Sequence, residues 1–134
     1  MAFVRPYLCI VTKKGNMKIS DDRTIKSIQA EFNSKFPYLK LEFYNKAHEV
    51  GEGSQVKSLI DVNQTIGAVR SIHTEGDLSI NGHLKVATLE QNFAEMYGLN
   101  AQVFRDSNGL WLQTTSTDDW TLTDQNRRGA EFRN

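Results

Sequence analysis

The chain is 134 residues long, 39% apolar and 24% charged, which suits one globular domain with a real hydrophobic core. Sixteen basic side chains balance sixteen acidic ones. That counts against a dedicated nucleic-acid binder, which needs a cationic surplus to displace counterions from phosphates. No run approaches the roughly 20 apolar residues that span a bilayer, and the lone cysteine, Cys9, closes no internal disulfide, so a cytoplasmic protein is the default expectation. Residues 3–11 read as a strand, with Cys9 a small buried hydrophobe inside it; the apolar stretch there is broken by Arg5 and Pro6 and does not read as a secretory signal. Gly15-Asn16 turns the chain into a short strand at 17–20. A helix from about Thr24 to Phe36 follows, with Ser20, Asp22 and Thr24 competent as caps, and Pro37 ends it. Residues 39–44 alternate as a half-buried strand, and residues 45–55 are polar, rich in Gly and charge, and read as a flexible loop. Val56–Leu59 stays open between strand and helical turn. Thr65–Arg70 reads as a short helix capped by Asn63 or Thr65. Residues 77–81 form a strand, and Val86–Tyr97 a helix with Gly98 at its left-handed end. Asn108-Gly109 marks a hairpin between Ala101–Arg105 and Leu110–Thr115. Thr121 and Asp124 then fit a capping box opening a helix over 122–128 that stops at Gly129.

Two stretches resemble each other at a fixed offset. Ile25, Ile28, Phe32 and Phe36 are matched by Val86, Leu89, Phe93 and Tyr97, each 61 residues later. Each helical pattern ends at a breaker, is followed by an extended run, and is preceded by a short alternating piece. The expectation is an α+β single domain over 1–134, with residues 1–16 as an N-terminal extension. Its core is two duplicated strand–helix–strand units on a mixed sheet. A C-terminal hairpin and short helix come after, an addition that the first unit lacks. Phe32 and Phe93 belong in the core.

Motifs for catalysis are sparse. His48, His73 and His83 fall in loops at spacings that match no metal or zincin pattern, and solvated loop histidine is the simplest reading. Gly51–Ser54 contains GxG, but Glu52 opposes an anion there. No catalytic residue, metal ligand or cofactor is assigned. The densest functional-looking segment is Trp111–Asn126, which holds both tryptophans among hydroxyl, carboxylate and amide groups. Its candidate binding residues are Arg105, Trp111, Thr115, Thr117, Asp118, Asp119, Trp120, Gln125 and Asn126, a set suited to a polar ligand. The competing reading makes the same residues structural, with Trp120 a staple before the Thr121 cap.

The same segment carries a resemblance. Gly98-Leu99, Gln102–Arg105, Trp111-Leu112, Thr114-Thr115, Thr117-Asp118, Trp120–Leu122, Gln125-Asn126 and Gly129 are similar to the C-terminal pattern GLxxQVFR…WLxTTxTDxWTLxxQNxxG of a family of small bacterial proteins with no assigned activity. The resemblance spans about residues 17–130. It implies an intracellular bacterial protein of one domain and carries over no catalytic residue.

Function is read three ways. The first is a non-enzymatic binding or adaptor module, forming a homodimer or taking a protein partner through an edge strand. The second is a small enzyme acting on a polar substrate through Asp118, Asp119 and Arg105. The third is a single-stranded nucleic-acid binder on a ferredoxin-like sheet; the neutral charge and the missing aromatic signature weigh against it. No membrane association is expected.

Overall fold

A computed structural model describes residues 15–45 and 59–131. The expected strand at 3–11 with Cys9, the N-terminal extension up to residue 14, the loop at 46–55, His48 and Gly51–Ser54 lie outside the described residues. The order of elements is β1 (Asn16–Ile19), α1 (Ile25–Lys35), β2 (Leu39–Tyr44), α2 (Ile66–Val69), β3 (Gly76–Ser79), α3 (Val86–Tyr97), β4 (Asn100–Ser107), β5 (Leu110–Gln113), a 3₁₀ turn (Thr115–Thr117) and α4 (Leu122–Glu131). The fold is α+β. Among the described residues no helix is long and apolar enough to cross a membrane.

Among the described residues the strands form two sheets, β1–β3 and β2–β4–β5, both antiparallel. This corrects the expected mixed sheet. The two strands flanking a helix do not pair with each other. Each pairs with its counterpart from the other half, Met17 opposite Leu78 and Leu41 opposite Val103. Among the described residues the strands therefore do not make the single ferredoxin-like sheet invoked for a nucleic-acid platform.

Alternation decides which faces are buried. Leu39, Leu41 and Phe43 of β2 and Ala101 and Val103 of β4 turn to the helices and are buried with Ile25, Ile28, Phe32, Val86, Leu89 and Phe93. Phe32 and Phe93 are both fully buried. Phe93 meets Phe43 edge to face with centroids 5.2 Å apart, the geometry that aromatic quadrupoles favour. Gly98 ends α3 at φ 65°, and the Leu99 N–H returns to the Phe93 carbonyl at 3.0 Å.

Helices begin in pairs. The first N–H groups of a helix have no partner within it, and here another helix's entry turn supplies the carbonyls. At one joint Ile25 N donates to Gln64 O and Lys26 N to Val62 O, while Ile66 N donates to Arg23 O and Gly67 N to Asp21 O. At the other, Val86 N donates to Trp120 O and Ala87 N to Asp118 O, while Leu122 N donates to Leu84 O and Thr123 N to Gly82 O. Bridges Thr24–Thr65 and Lys85–Thr121 close the two joints. The first half also has a returning segment. Ile60 N donates to Phe43 O at 2.8 Å and Leu59 bridges Tyr44, which places Leu59 in an extended pairing.

Asn108 (φ 53°) and Gly109 (φ 92°) make the hairpin turn between β4 and β5. Thr121 caps α4, its Oγ1 accepting from Asp124 N at 3.1 Å. The reciprocal half of the expected capping box is replaced, because the Asp124 carboxylate pairs with Arg127 at 2.9 Å. Nor does α4 stop at Gly129. It continues to Glu131, and Gly129 is there because a Cβ on it would lie 2.7 Å from the Tyr38 Cβ.

Candidate functional site

The register of the hairpin divides the sequence-predicted site between two faces. Arg105 stands opposite Leu112 and Asp106 opposite Trp111. Successive strand residues point to opposite faces, so Arg105 lies on the helix side while Trp111 lies on the other with Phe104 and Lys40. Lys40 Nζ sits 5.2 Å from the Phe104 ring and 5.1 Å from the Trp111 ring. Trp111 and Trp120 therefore do not line one cleft.

On the helix side Gln125 is fully buried and is the hub. Its Oε1 accepts from Arg105 Nη1 at 2.8 Å; its Nε2 donates to Thr117 O at 2.9 Å and to Thr117 Oγ1 at 2.8 Å. A buried amide must be satisfied in this way. The network fastens α4 to β4 and to the 3₁₀ turn, which Thr115 opens. Asn126 is an anchor of the same kind, its Oδ1 accepting from Tyr38 N at 2.9 Å. Thr117, Gln125 and Asn126 thus have structural partners.

The acidic members are placed differently. Asp118 is half-buried and its carbonyl takes the Ala87 N–H at 2.7 Å, whereas Asp119 is exposed. Neither forms an ion pair with Arg105. The Arg105 guanidinium instead lies over Trp120, with Cζ 5.8 Å from the ring centroid. Burial lowers the Arg105 pKa, and the nearby Arg128 charge lowers it further. Trp120, Asp124, Arg127, Arg128 and Glu131 line an open hollow of about 350 Å³, of which Arg105 is not a lining residue.

Two polar clusters escaped the sequence reading. Asp21 Oδ1 accepts from Arg70 Nη2 at 2.8 Å and Nε at 3.0 Å, and its Oδ2 meets His73 Nδ1 at 2.8 Å. The Arg70 side chain is fully buried, and its Nη1 donates to Tyr97 O at 3.0 Å. The Arg70 hydrogen bonds, and after them His73, hold the Asp21 carboxyl below its ordinary pKa. His73 is thus not merely solvated. Its partner lies 52 residues away, and no spacing rule reveals it. The second is Glu90, buried on α3, whose Oε2 accepts from Val103 N at 2.9 Å where β5 no longer covers β4. Among the described residues no three His, Cys, Asp or Glu side chains gather as a metal site.

Comparison with known protein families, with curated proteins and with solved structures finds no match to this chain.

The feature of this region with least structural explanation is β5. Among the described residues it is the outer strand of its sheet, and Leu110, Trp111 and Leu112 are 70%, 39% and 44% exposed. Asp106 N donates to Tyr38 O, so Asp106 directs its backbone toward β2. Its opposite residue Trp111 consequently points its own N–H and C=O away from β4.

Proposed function

We propose that this chain is a non-enzymatic binding module that takes an extended segment of a protein partner as an added strand beside β5. The observation that carries the reading is the exposure of three consecutive large apolar residues, Leu110, Trp111 and Leu112, on an outer strand. Outer strands normally carry a charge, a proline or a bulge that discourages pairing. Leu110–Gln113 has neither charge nor proline. Strand addition would take the outward N–H and C=O of Trp111 as its main-chain contacts, and Leu112 and Trp111 would offer apolar surface on opposite faces to alternate partner side chains. The same reading takes the two halves as duplicated units, supported by the matching hydrogen bonds at the two helix joints. It also takes the chain as a member of the bacterial family that its C-terminal pattern resembles.

The test is amide hydrogen exchange of the chain alone, across a concentration series, and with a panel of eight-residue peptides rich in Val, Ile and Thr. A peptide that binds slows exchange at Trp111 and shifts resonances over 109–113, and Leu112→Lys abolishes both effects. Slowed exchange with rising concentration of the chain alone identifies a second copy as the occupant. Trp111 exchange that no peptide and no concentration alters overturns the proposal.

A further inference from the structure

The sequence holds two Asn-Gly pairs, Asn81-Gly82 and Asn108-Gly109. Such a pair can react with itself. The glycine nitrogen gives its proton to hydroxide and bonds to the asparagine Cγ. The Cγ–Nδ2 bond breaks, and Nδ2 leaves as ammonia. Water then opens the five-membered imide at either carbonyl, giving aspartate or isoaspartate. Nothing is oxidised or reduced, and water is the only co-reactant. Glycine favours the ring closure because it has no Cβ.

The fold holds the two pairs differently. At Asn81-Gly82 the side chain is engaged, with Asn81 Oδ1 accepting from His83 N at 2.8 Å. Gly82 itself is fixed in a helix joint, where its carbonyl takes the Thr123 N–H at 3.0 Å. Asn108 and Gly109 are both exposed, at the tip of the hairpin. The main-chain hydrogen bond of a tight turn joins its first and last residues, here Ser107 and Leu110, so the Gly109 N–H has no place in it. Asp106 Oδ1 takes that N–H at 2.8 Å. Asp106 is buried, and its own N–H is tied to Tyr38 O at 2.9 Å, so the carboxylate is carried by the strand and not by the turn. A hydrogen bond to an N–H favours its protonated form, and a negative charge beside it opposes the anion. Both effects fall on the nitrogen that must lose its proton to start the reaction.

We propose that Asn108-Gly109 is a site of spontaneous modification by water, and that Asp106 is the positioning residue that restrains it. Either product changes the outer strand. Isoaspartate lengthens the main chain inside a two-residue turn whose length sets the register of β5 on β4. Aspartate adds a charge beside an edge that has none. The site does not depend on strand addition at β5.

The test incubates the parent chain, Asp106→Ala and Asp106→Ser at mildly alkaline pH. Peptide mass spectrometry then reads aspartate and isoaspartate at both Asn-Gly pairs. Asp106→Ala should convert Asn108 about tenfold faster than the parent, the scale of one lost hydrogen bond to a charged group. Asp106→Ser keeps a neutral acceptor and should fall between them. Asn81-Gly82 in the same samples is the control for unfolding, and its rate should not change. Conversion of Asn108 no faster than in the parent, in either folded variant, overturns the proposal; slower conversion would make the carboxylate a general base. Hydrogen exchange of the Gly109 N–H in the parent reads the same proton without any variant. It should be slowed about tenfold against an unstructured peptide, and an unprotected Gly109 N–H overturns the proposal even if neither variant folds.

Discussion

Gly67 lies so close to Asp21 that a Cβ added to it would sit 2.8 Å from the Asp21 Cβ and 3.1 Å from the Asp21 carbonyl oxygen. At the other helix joint the roles are exchanged, and a Cβ on Gly82 would overlap Thr123 Oγ1. Gly67 and Thr123 each follow the first residue of a helix, and Asp21 and Gly82 each accept at the joint. Each contact thus admits one side chain. Gly67→Ala should destabilise by about 1–3 kcal/mol, because it pushes against atoms next to the backbone. Gly82→Ala should cost less, because the Thr123 hydroxyl can rotate away. Removing that side chain as well, in Gly82→Ala with Thr123→Gly, should relieve the clash but add the helix penalty of glycine, about 1 kcal/mol. Urea unfolding of the variants checks the order.

The Asp21 carboxyl gives the fold an acid limit. Hydrogen bonds from Arg70, and after them His73, favour its ionised form and lower its pKa from the ordinary 3.8. A group depressed in the folded state contributes stability that is complete above its unfolded pKa and is lost as pH falls through the folded one. Stability should therefore decline below about pH 3.8, and Asp21→Asn should flatten that slope. The variant should also unfold at lower urea at neutral pH, because it leaves the buried Arg70 guanidinium without its carboxylate. Urea midpoints between pH 6 and pH 2 test both statements; an unchanged acid slope in Asp21→Asn refutes the first.

Local chemistry made several elements legible. The apolar period of Val86–Tyr97 with Gly98 behind it fixes α3 at both ends, and Asn108-Gly109 fixes the hairpin. A two-residue turn also fixes the register, so the opposite facing of Arg105 and Trp111 follows from the sequence once alternation is carried around the turn. Pairing between distant segments left no such trace. Met17 finds Leu78, and Asp21 finds both Arg70 and His73, only because the fold brings them together. The partners of the candidate-site amides were hidden for the same reason. Gln125 and Asn126 look like ligand-binding amides in a polar run, but Arg105, Thr117 and Tyr38 already occupy them.

Gln125→Ala should be among the costliest substitutions in the C-terminal half. It removes the acceptor of Arg105 Nη1 and the donor to Thr117, and it leaves the half-buried guanidinium with its Nε already unbonded. A hydrogen bond to a charged group contributes about 1.5–3 kcal/mol, and unsatisfied buried partners add to the loss, so about 2–4 kcal/mol is expected. Gln125→Glu should be milder, since it keeps the oxygen facing Arg105 while losing the donor to Thr117. Chemical denaturation of both variants gives the comparison, and equal stability of Gln125→Ala and the parent chain would rule out the hub role.

Gly129 offers a test in which helix propensity and packing predict opposite signs. At an exposed position inside a helix, Gly→Ala is stabilising by about 1 kcal/mol. Gly129 is buried, and a Cβ there would lie 2.7 Å from the Tyr38 Cβ, 3.2 Å from the Asp106 carbonyl oxygen and 3.3 Å from the Tyr38 carbonyl oxygen. Two of these neighbours are backbone, one in β4 and one just before β2, and the third is bonded directly to backbone, so none can turn aside as a side-chain tip would. Relief requires α4 to move outward. That motion would stretch the Asn126 contact to Tyr38 N and the Gln125 contact to Arg105. Gly129→Ala should therefore destabilise by about 1–3 kcal/mol, whereas Arg127→Ala, exposed on the same helix, should stay within about 0.5 kcal/mol of the parent chain. Thermal unfolding of the two variants decides between the signs, and a stabilised Gly129→Ala would mean that α4 does not rest on β2 and β4 at this distance.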